Sequence, residues 1–237
     1  MILAGVDEAG RGSVIGPLVV AGVAIEESKL SKLKERGIKD SKMLTPRKRK
    51  ILYREIKSLA DGIAIEKVQP AAIDKTVFAG QKLFRLNYLE ARSMARVLAQ
   101  LTYDRAHVDC CDTNQKRFGI QISEIMAEVK GVVIGLGEKN PFVERLHSEH
   151  HADKNHPVVS AASIIAKVVR DCSIERLQKS HGNFGSGYPS DADTISFLKE
   201  HYEQTKNFPS IVRQSWLTIR RMKGELAGNS SMEKLRS

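Results

Sequence analysis

Residues 2–25 read ILAGVDEAGRGSVIGPLVVAGVAI, which is two apolar runs joined by a short polar connection. The first run, Ile2–Asp7, ends in carboxylates, and the second, Leu18–Ile25, is rich in valine, as buried strands are. The glycines at positions 10 and 12 predict a tight connection between the two strands. This stretch therefore predicts a β-structured beginning, with carboxylates at the carboxyl end of its first strand.

The rest of the chain alternates strand and helix patterns and then becomes helical. Further strands are predicted at residues 62–68, 106–111 and 131–136. Helices are predicted at residues 46–59, 82–101, 115–127, 158–177, 190–205 and 211–223. Strands first and helices last indicate an α/β core followed by a helical extension. We predict a catalytic domain at residues 1–180, a C-terminal helical substrate-binding subdomain at 181–225 and a flexible tail at 226–237.

The composition is that of a globular protein, since 41% of the 237 residues are hydrophobic. Val14–Ile25, the longest near-continuous apolar stretch, is 12 residues long, and crossing a bilayer takes about 20. Asp7 and Glu8 interrupt the N-terminal apolar run, so no secretory signal is expected. Three cysteines, two of them adjacent, form no disulfide framework. We therefore expect a cytoplasmic protein that does not enter membranes.

The positive charge is concentrated in one segment. The chain has a net charge of +10, and the twelve basic and three acidic residues between Lys29 and Lys57 contribute +9 of it. A concentrated basic segment favours a polyanionic partner, either nucleic acid or an anionic membrane surface. The alternative is a solvated helix face that binds nothing.

Acidic residues at three separate places are the candidates for chemistry. Asp7 and Glu8 are adjacent, and two neighbouring carboxylates repel each other unless a cation compensates them. Asp109 lies inside an apolar strand, where a carboxylate is costly unless it is paired or metal-bound. Asp153 directly precedes the largely apolar helix. Singly, these positions also fit a loop start, a water-facing edge residue and a helix N-cap.

Together, the acidic residues indicate metal-assisted chemistry. Hard divalent ions such as Mg²⁺ prefer oxygen ligands and are held by carboxylates and substrate phosphates. Two such ions about 3.5–4 Å apart can activate a water and stabilise the leaving oxygen of a phosphodiester. Acidic metal ligands combined with a basic segment predict a nuclease.

Six motifs, in order, extend this prediction to a family. The chain resembles the ribonuclease HII family in its archaeal form, over roughly residues 1–220. The motifs are DEAGRGSVIGPLVVAGV (7–23), DSKML (40–44), HVDCCDTNQKRFG (107–119), SEHHADKNHPVVSAASIIAKVVRD (148–171), GSGYPSD (185–191) and FPSIVRQSW (208–216). The resemblance implies an RNase H-like fold, with a mixed sheet flanked by helices and a C-terminal helical subdomain. It also implies an endonuclease that cleaves the RNA of RNA/DNA hybrids. Such an enzyme also cuts 5′ of single ribonucleotides in duplex DNA, leaving 3′-hydroxyl and 5′-phosphate ends.

The resemblance assigns roles to particular residues. The four carboxylates implied to be catalytic and to bind two Mg²⁺ or Mn²⁺ ions are Asp7, Glu8, Asp109 and Asp153. The residues implied to bind substrate are Gly10, Arg11 and Gly12, whose backbone reads the ribose 2′-hydroxyl, Tyr188, whose ring packs on the following sugar, Asp40, Ser41 and Lys42 at phosphates, and Asn87. Without the resemblance, the glycines fit a simple turn and the tyrosine fits an aromatic capping the core beside Pro189. The implied partners are RNA/DNA hybrids and ribonucleotide-containing duplex DNA. A monomer is expected, and residues 224–237 show no clear motif for a sliding-clamp partner.

Several positions depart from the family pattern. Ser13 stands where the family usually has proline, which predicts a less rigid loop. Arg85 stands where the family has asparagine, and His151 replaces its usual lysine. Four of the seven histidines lie between His147 and His156, and a transition-metal site there is the alternative to a role beside Asp153. Their spacing matches no zinc pattern.

Two other functional classes remain as alternatives. A nucleic-acid-binding protein with a decayed catalytic site would bind hybrids without cutting them, and the intact carboxylates argue against it. Another RNase H-like enzyme, such as a type 1 ribonuclease H, would lack the DEAGRG and GSGYPSD pair and would leave a single ribonucleotide uncut.

Overall fold

The fold is built on a five-stranded mixed sheet. A computed structural model describes residues 1–38, 44–79, 82–135 and 137–234. The strands are β1 (Ile2–Ala9), β2 (Leu18–Glu26), β3 (Gly62–Val68), β4 (Arg105–Asp109) and β5 (Leu146–Glu149). Their order in the sheet is β3-β2-β1-β4-β5. β1 is antiparallel to β2 and parallel to β4, and β4 is parallel to β5. The predicted mixed sheet is therefore confirmed.

Helices account for most of the remaining described chain. They are α1 (Leu30–Glu35), α2 (Pro46–Leu59), α3 (Pro70–Phe78), α4 (Lys82–Ala99), α5 (Gln115–Lys130), α6 (Ala152–Asn155), α7 (Pro157–His181), α8 (Ala192–Thr205) and α9 (Leu217–Lys234). The predicted N-terminus of α2 is confirmed, because Thr45 is its N-cap and accepts a hydrogen bond from the amide of Lys48. The short helices α1, α3 and α6 lack the long apolar period from which helices are predicted.

The chain forms two compact units. The first consists of Met1–Ala9, Val19–Lys67 and Leu83–Val169, and the second of Gly10–Leu18, Val68–Lys82 and Arg170–Ser237. A compact unit is not by itself a domain that folds alone, so the predicted division at residues 180 and 181 stays a prediction. The core of the first unit includes Val108 of β4, Leu98 of α4 and Phe118 of α5. The core of the second includes Phe184 and Tyr202.

A close approach of helix to sheet places the N-terminal half of α7 on β1. A Cβ built on Gly5 would lie 2.3 Å from the carbonyl carbon of Val158, closer than atoms can approach. Only glycine permits this packing at position 5. The approach brings the polar residues of α7 to the sheet face that also carries Asp7.

Two of the elements predicted from the sequence are wrong. Residues 131–135 form no strand: Gly131 ends α5 in the left-handed conformation with φ of 65°, and Val133 is 91% exposed. The edge strand is β5 instead, and its three consecutive polar residues, 147–149, give no strand pattern. The last helix begins at Leu217 rather than Ile211, because residue 212 forms a bridge with Ile15, and it runs beyond the predicted end at Lys223.

Within the described residues, no helix is both long and apolar enough to cross a membrane.

Candidate active site

Asp7 is a buried carboxylate near the end of β1. Its side chain is 4% exposed, and its Oδ1 accepts a 2.7 Å hydrogen bond from the amide of Glu8. Burial raises the pKa of Asp7 to about 6, and the nearby charge of Asp109 raises it as well. The Lys167 ammonium and a hydrogen bond from Ser163 oppose this shift. The carboxylate therefore lies in a place that favours a compensating cation.

Asp109 and Asp153 are held together through the backbone. Oδ1 of Asp109, at the end of β4, accepts a 2.8 Å hydrogen bond from the amide of Ala152, the first residue of α6. Asp153 follows immediately and is 2% exposed. The carboxylate of Asp109 therefore fixes the start of the helix that carries Asp153. The N-cap interpretation of Asp153 is wrong, because the N-cap of α6 is His151.

The four predicted carboxylates lie in the first unit on adjacent elements. β1 and β4 are parallel neighbours, so Asp7, Glu8 and Asp109 lie at the same edge of the sheet. Glu8 is half-buried beside Asp7. Within the described parts of the chain, no three His, Cys, Asp or Glu side chains converge closely enough to hold a metal ion.

Sequence reasoning missed two residues beside Asp7. Lys167 donates a 2.5 Å hydrogen bond from Nζ to Oγ of Ser163, one turn earlier on α7, and both interact with Asp7. The available signal was a serine and a lysine four positions apart in residues 157–169, where the only other polar side chain is Ser160. They place a positive charge and a hydroxyl donor at the buried carboxylate.

Glu149 is a further carboxylate that the sequence did not single out. It ends β5 and lies next to Asp109 in the sheet register. It accepts a hydrogen bond from the Asn155 amide, and its Oε2 lies 3.1 Å from Nε2 of His156. These two interactions hold the pKa of Glu149 below its ordinary value. Glu149 therefore ties the end of α6 to the sheet.

The histidines stack rather than converge. The ring centroid of His107 lies 3.9 Å from that of His156 and 5.6 Å from that of His147. Burial lowers the pKa of His107 to about 4, and the neighbouring histidines lower it further. Stacked rings direct their nitrogens sideways, so this arrangement does not supply a transition-metal site in the described chain.

The glycines of the predicted ribose-recognition turn differ in what they do. Gly10 is buried with φ of 84°, and a Cβ there would lie 3.0 Å from the carbonyl oxygen of Pro17. Gly12 is exposed, and a Cβ there would meet nothing within 4 Å. The fold therefore requires glycine at position 10, whereas nothing in the described protein crowds position 12. Ser13 donates a 3.0 Å hydrogen bond to the carbonyl oxygen of Gly10, a bond that proline cannot make.

Tyr188 is half-buried in the second unit, with a cation against its ring. Cζ of Arg170 lies 4.4 Å from the ring centroid. A second arginine, Arg213, is fully buried and donates 3.0 Å hydrogen bonds to the carbonyl oxygens of Gly16 and Arg11. Sequence reasoning quoted the motifs that contain both arginines and assigned neither a role.

The remaining predicted substrate residues are placed as follows. Asp40, Ser41 and Lys42 lie outside the described residues. Asn87 is buried, and its Nδ2 donates a 2.8 Å hydrogen bond to Oδ2 of Asp112. This bond ties the side-chain amide of Asn87 to the buried carboxylate of Asp112.

The described part of the basic segment includes α1 and the longer helix α2, which carries most of its exposed cations. The exposed cations of α2 are Arg47, Lys48, Lys50, Arg54 and Lys57. Four residues of α2 with exposed side chains, Arg47, Lys50, Ile51 and Arg54, line a shallow groove of about 480 Å³ together with Pro46. Exposed cations along one helix form the kind of surface that contacts a phosphate backbone.

The sheet order and the carboxylates at the ends of β1 and β4 define the RNase H-like class of fold. The sequence model of the Ribonuclease HII family matches residues 4–219. The chain is 46% identical over 220 residues to the ribonuclease HII of Cenarchaeum symbiosum, covering 93% of this chain and 97% of that protein.

Solved structures agree with the sequence comparison. The ribonuclease H2 from Pyrococcus horikoshii matches with a TM-score of 0.81 and 38% identity, over 96% of this chain and 99% of that one. The ribonuclease HII of Archaeoglobus fulgidus, solved in complex with PCNA, matches with a TM-score of 0.77 and 38% identity, over 91% of this chain and 95% of that one. The chain belongs to the ribonuclease HII family. It is an endoribonuclease, a hydrolase that cleaves the RNA strand of RNA/DNA hybrids.

Proposed function

We propose that this enzyme also cuts 5′ of single ribonucleotides in duplex DNA, leaving 3′-hydroxyl and 5′-phosphate ends. The observation that carries the proposal is that Asp7 and Asp109 lie at the same end of two neighbouring parallel strands, while the bond from the Ala152 amide to Asp109 holds the start of α6, which carries Asp153. The buried carboxylate of Asp7, whose pKa is raised to about 6, favours a bound cation that compensates its charge.

We propose that Asp7, Glu8, Asp109 and Asp153 hold two divalent ions, Mg²⁺ or Mn²⁺. The four side chains are an all-oxygen donor set, which fits hard cations. Bound there, the ions supply activation of the attacking water and stabilisation of the departing 3′-oxygen.

The residues of the chain divide the remaining work. The exposed backbone at Gly12 has open space in front of it, which suits the approach of a ribose 2′-hydroxyl. Tyr188 offers a ring for the following sugar. The cations of α2 contact phosphates and supply affinity that does not depend on sequence. Lys167 and Ser163 orient the Asp7 carboxylate.

A sliding clamp is proposed as a protein partner. The support is the Archaeoglobus fulgidus relative, which was solved with PCNA. A clamp from the same organism, titrated against the full chain in a binding assay, is expected to form a complex. A variant that ends at residue 223 is the matched comparison, and it is expected to lose the complex if the C-terminal residues carry the contact. Monomeric state and cytoplasmic location remain predictions.

The decisive experiment uses duplex DNA with one ribonucleotide, with the cut position mapped. The wild type is expected to cut 5′ of the ribonucleotide in Mg²⁺, and Asp109→Asn is expected to lose at least about a thousandfold in kcat, since removing a ligand disables the ions on which the step depends. Glu124→Gln, an exposed carboxylate change on α5, is the control and is expected to act like the wild type. Near-normal cutting by Asp109→Asn would remove this residue from the site. Salt-dependent binding without any cleavage by the wild type would favour a binding protein instead.

A further inference from the structure

Arg170 connects the two loops to which ribose recognition is assigned. It is 5% exposed and begins the part of α7 that belongs to the second unit. Its Nη2 donates a 2.6 Å hydrogen bond to the carbonyl oxygen of Ser186, and its Cζ lies 4.4 Å from the ring centroid of Tyr188. The guanidinium therefore donates to the backbone of the tyrosine loop and lies over the tyrosine ring.

The same side chain also lies against the glycine turn. A Cβ built on Gly10 would lie 3.1 Å from Nε of Arg170, and one built on Gly187 would lie 3.5 Å from its Nη2. The amides of Val14 and Ile15 donate to the carbonyl oxygen of Gly187, at 2.8 and 3.2 Å, so the two loops are also joined directly. The arginine fills the space that the two glycines leave between them.

Packing alone does not explain why a charged side chain occupies position 170. Its Nε is buried and has no hydrogen-bond partner within the described residues, and Oδ1 of Asp171 lies 3.7 Å from Nη1, a long distance for an ion pair. A buried cation with incomplete pairing is costly, and an apolar side chain of similar volume is often equally stable or better. A planar guanidinium, in contrast, can stack on a ring while donating in its own plane, which neither lysine nor methionine can do.

We propose that Arg170 is a positioning residue for ribose recognition, acting through Tyr188. The arginine is anchored to the carbonyl oxygen of Ser186 and lies beside Gly10. It therefore sets the distance between the tyrosine ring and the glycine turn. This inference rests on the proposed roles of Tyr188 and the turn. A ring that is held in place orients the substrate for the chemical step. Substitution of Arg170 is therefore expected to lower kcat more than it changes KM.

The test is a double-mutant cycle of Arg170→Met and Tyr188→Leu on the one-ribonucleotide duplex. Each single change is expected to lower kcat by about tenfold or more, in line with the worth of a desolvated cation–π contact, while KM changes less. The double variant is expected to be no slower than the slower single variant, because both changes remove the same interaction. Effects that multiply in the double variant would overturn the proposal, as would a loss carried wholly by KM.

Two further variants and melting curves serve as controls for misfolding. Arg176→Met removes an exposed arginine from the same helix and is expected to leave kcat unchanged. Arg170→Lys keeps the charge and replaces the methionine variant if that variant does not fold. It is expected to fold and to have a kcat close to that of Arg170→Met. A wild-type kcat in Arg170→Lys would overturn the proposal. If the wild type leaves the single ribonucleotide uncut, the proposed substrate is wrong. The same double-mutant cycle is then measured on an RNA/DNA hybrid. Decreases in kcat that multiply in the double variant would overturn the role of Arg170, independently of the proposed substrate.

Discussion

Nη1 of Arg213 donates a 3.0 Å hydrogen bond to the carbonyl oxygen of Arg11, across 202 positions of the chain. Nε of the same guanidinium donates to the carbonyl oxygen of Gly16, also at 3.0 Å, and the amide of Arg213 donates to the carbonyl oxygen of Val14. One buried side chain and its own backbone therefore hold the loop from residue 11 to residue 16, which contains most of the glycine turn.

Arg213→Met is expected to destabilise the protein by about 3 kcal/mol, because a buried and a part-buried carbonyl oxygen lose charged donors. Urea unfolding followed by circular dichroism measures the change. Arg221→Met, an exposed change on α9, is the control and is expected to alter the free energy of unfolding by less than about 0.5 kcal/mol. Equal effects from both changes would mean that the bonds to residues 11 and 16 do not support the fold.

Gly10→Ala is expected to lower stability, whereas Gly12→Ala is expected to lower activity. Gly10 has a left-handed backbone and a crowded Cβ position, so alanine is expected to lower the free energy of unfolding by about 1 kcal/mol or more. Gly12→Ala is expected to leave the melting temperature unchanged and to lower kcat/KM on the one-ribonucleotide duplex, because the new methyl group obstructs the approaching sugar. Melting curves and steady-state kinetics separate the two. Full activity of Gly12→Ala would contradict backbone recognition of the 2′-hydroxyl there.

Asp7→Asn is expected to stabilise the metal-free protein at alkaline pH. In the folded chain Asp7 keeps its proton up to about pH 6, whereas its ordinary pKa is 3.8. The folded state thus binds more protons between these values, so its stability falls as pH rises through them. Removing the charge is expected to restore up to about 3 kcal/mol at pH 8, from a shift of about two pKa units, and almost nothing at pH 4.

Urea unfolding in the presence of EDTA, from pH 4 to pH 8, measures this gain. A gain that does not vary with pH would show that burial of the Asp7 charge is not its source. Added Mg²⁺ is expected to stabilise the wild type and to have less effect on Asp7→Asn, because a ligand that binds only the folded state raises its stability.

The double change of Arg47→Ala with Lys48→Ala is expected to raise KM and to flatten its salt dependence. Each lost phosphate contact reduces the slope of log affinity against log salt by about 0.9, so two contacts reduce it by about 1.8. KM measured across a series of salt concentrations tests this. Lys130→Ala with Lys139→Ala removes the same charge from other exposed positions and is the control. An unchanged slope in the α2 variant would leave that helix as a solvated face.

Local signals predicted the parts of the fold that are set by a few neighbouring residues. The start of α2 follows from Thr45 and Pro46, since a cap and a fixed φ act within one turn. The strands β1 and β2 follow from apolar runs, and β3 follows from the alternation of its residues. The segment from Gly131 was predicted wrongly as a strand because apolar residues alone do not show whether a neighbouring strand is present to pair with them.

The sequence by itself determined the chemistry that this protein carries: the four carboxylates, the glycines and tyrosine of the recognition motifs, and a basic segment that holds nearly all of the net charge. These are properties of residue type and order. Only the tertiary structure decided which distant groups meet, as Ala152 meets Asp109 and Arg170 meets Tyr188. The reason is physical: hydrogen bonds, desolvation and stacking depend on distances of a few ångströms, and these arise only when the chain is packed.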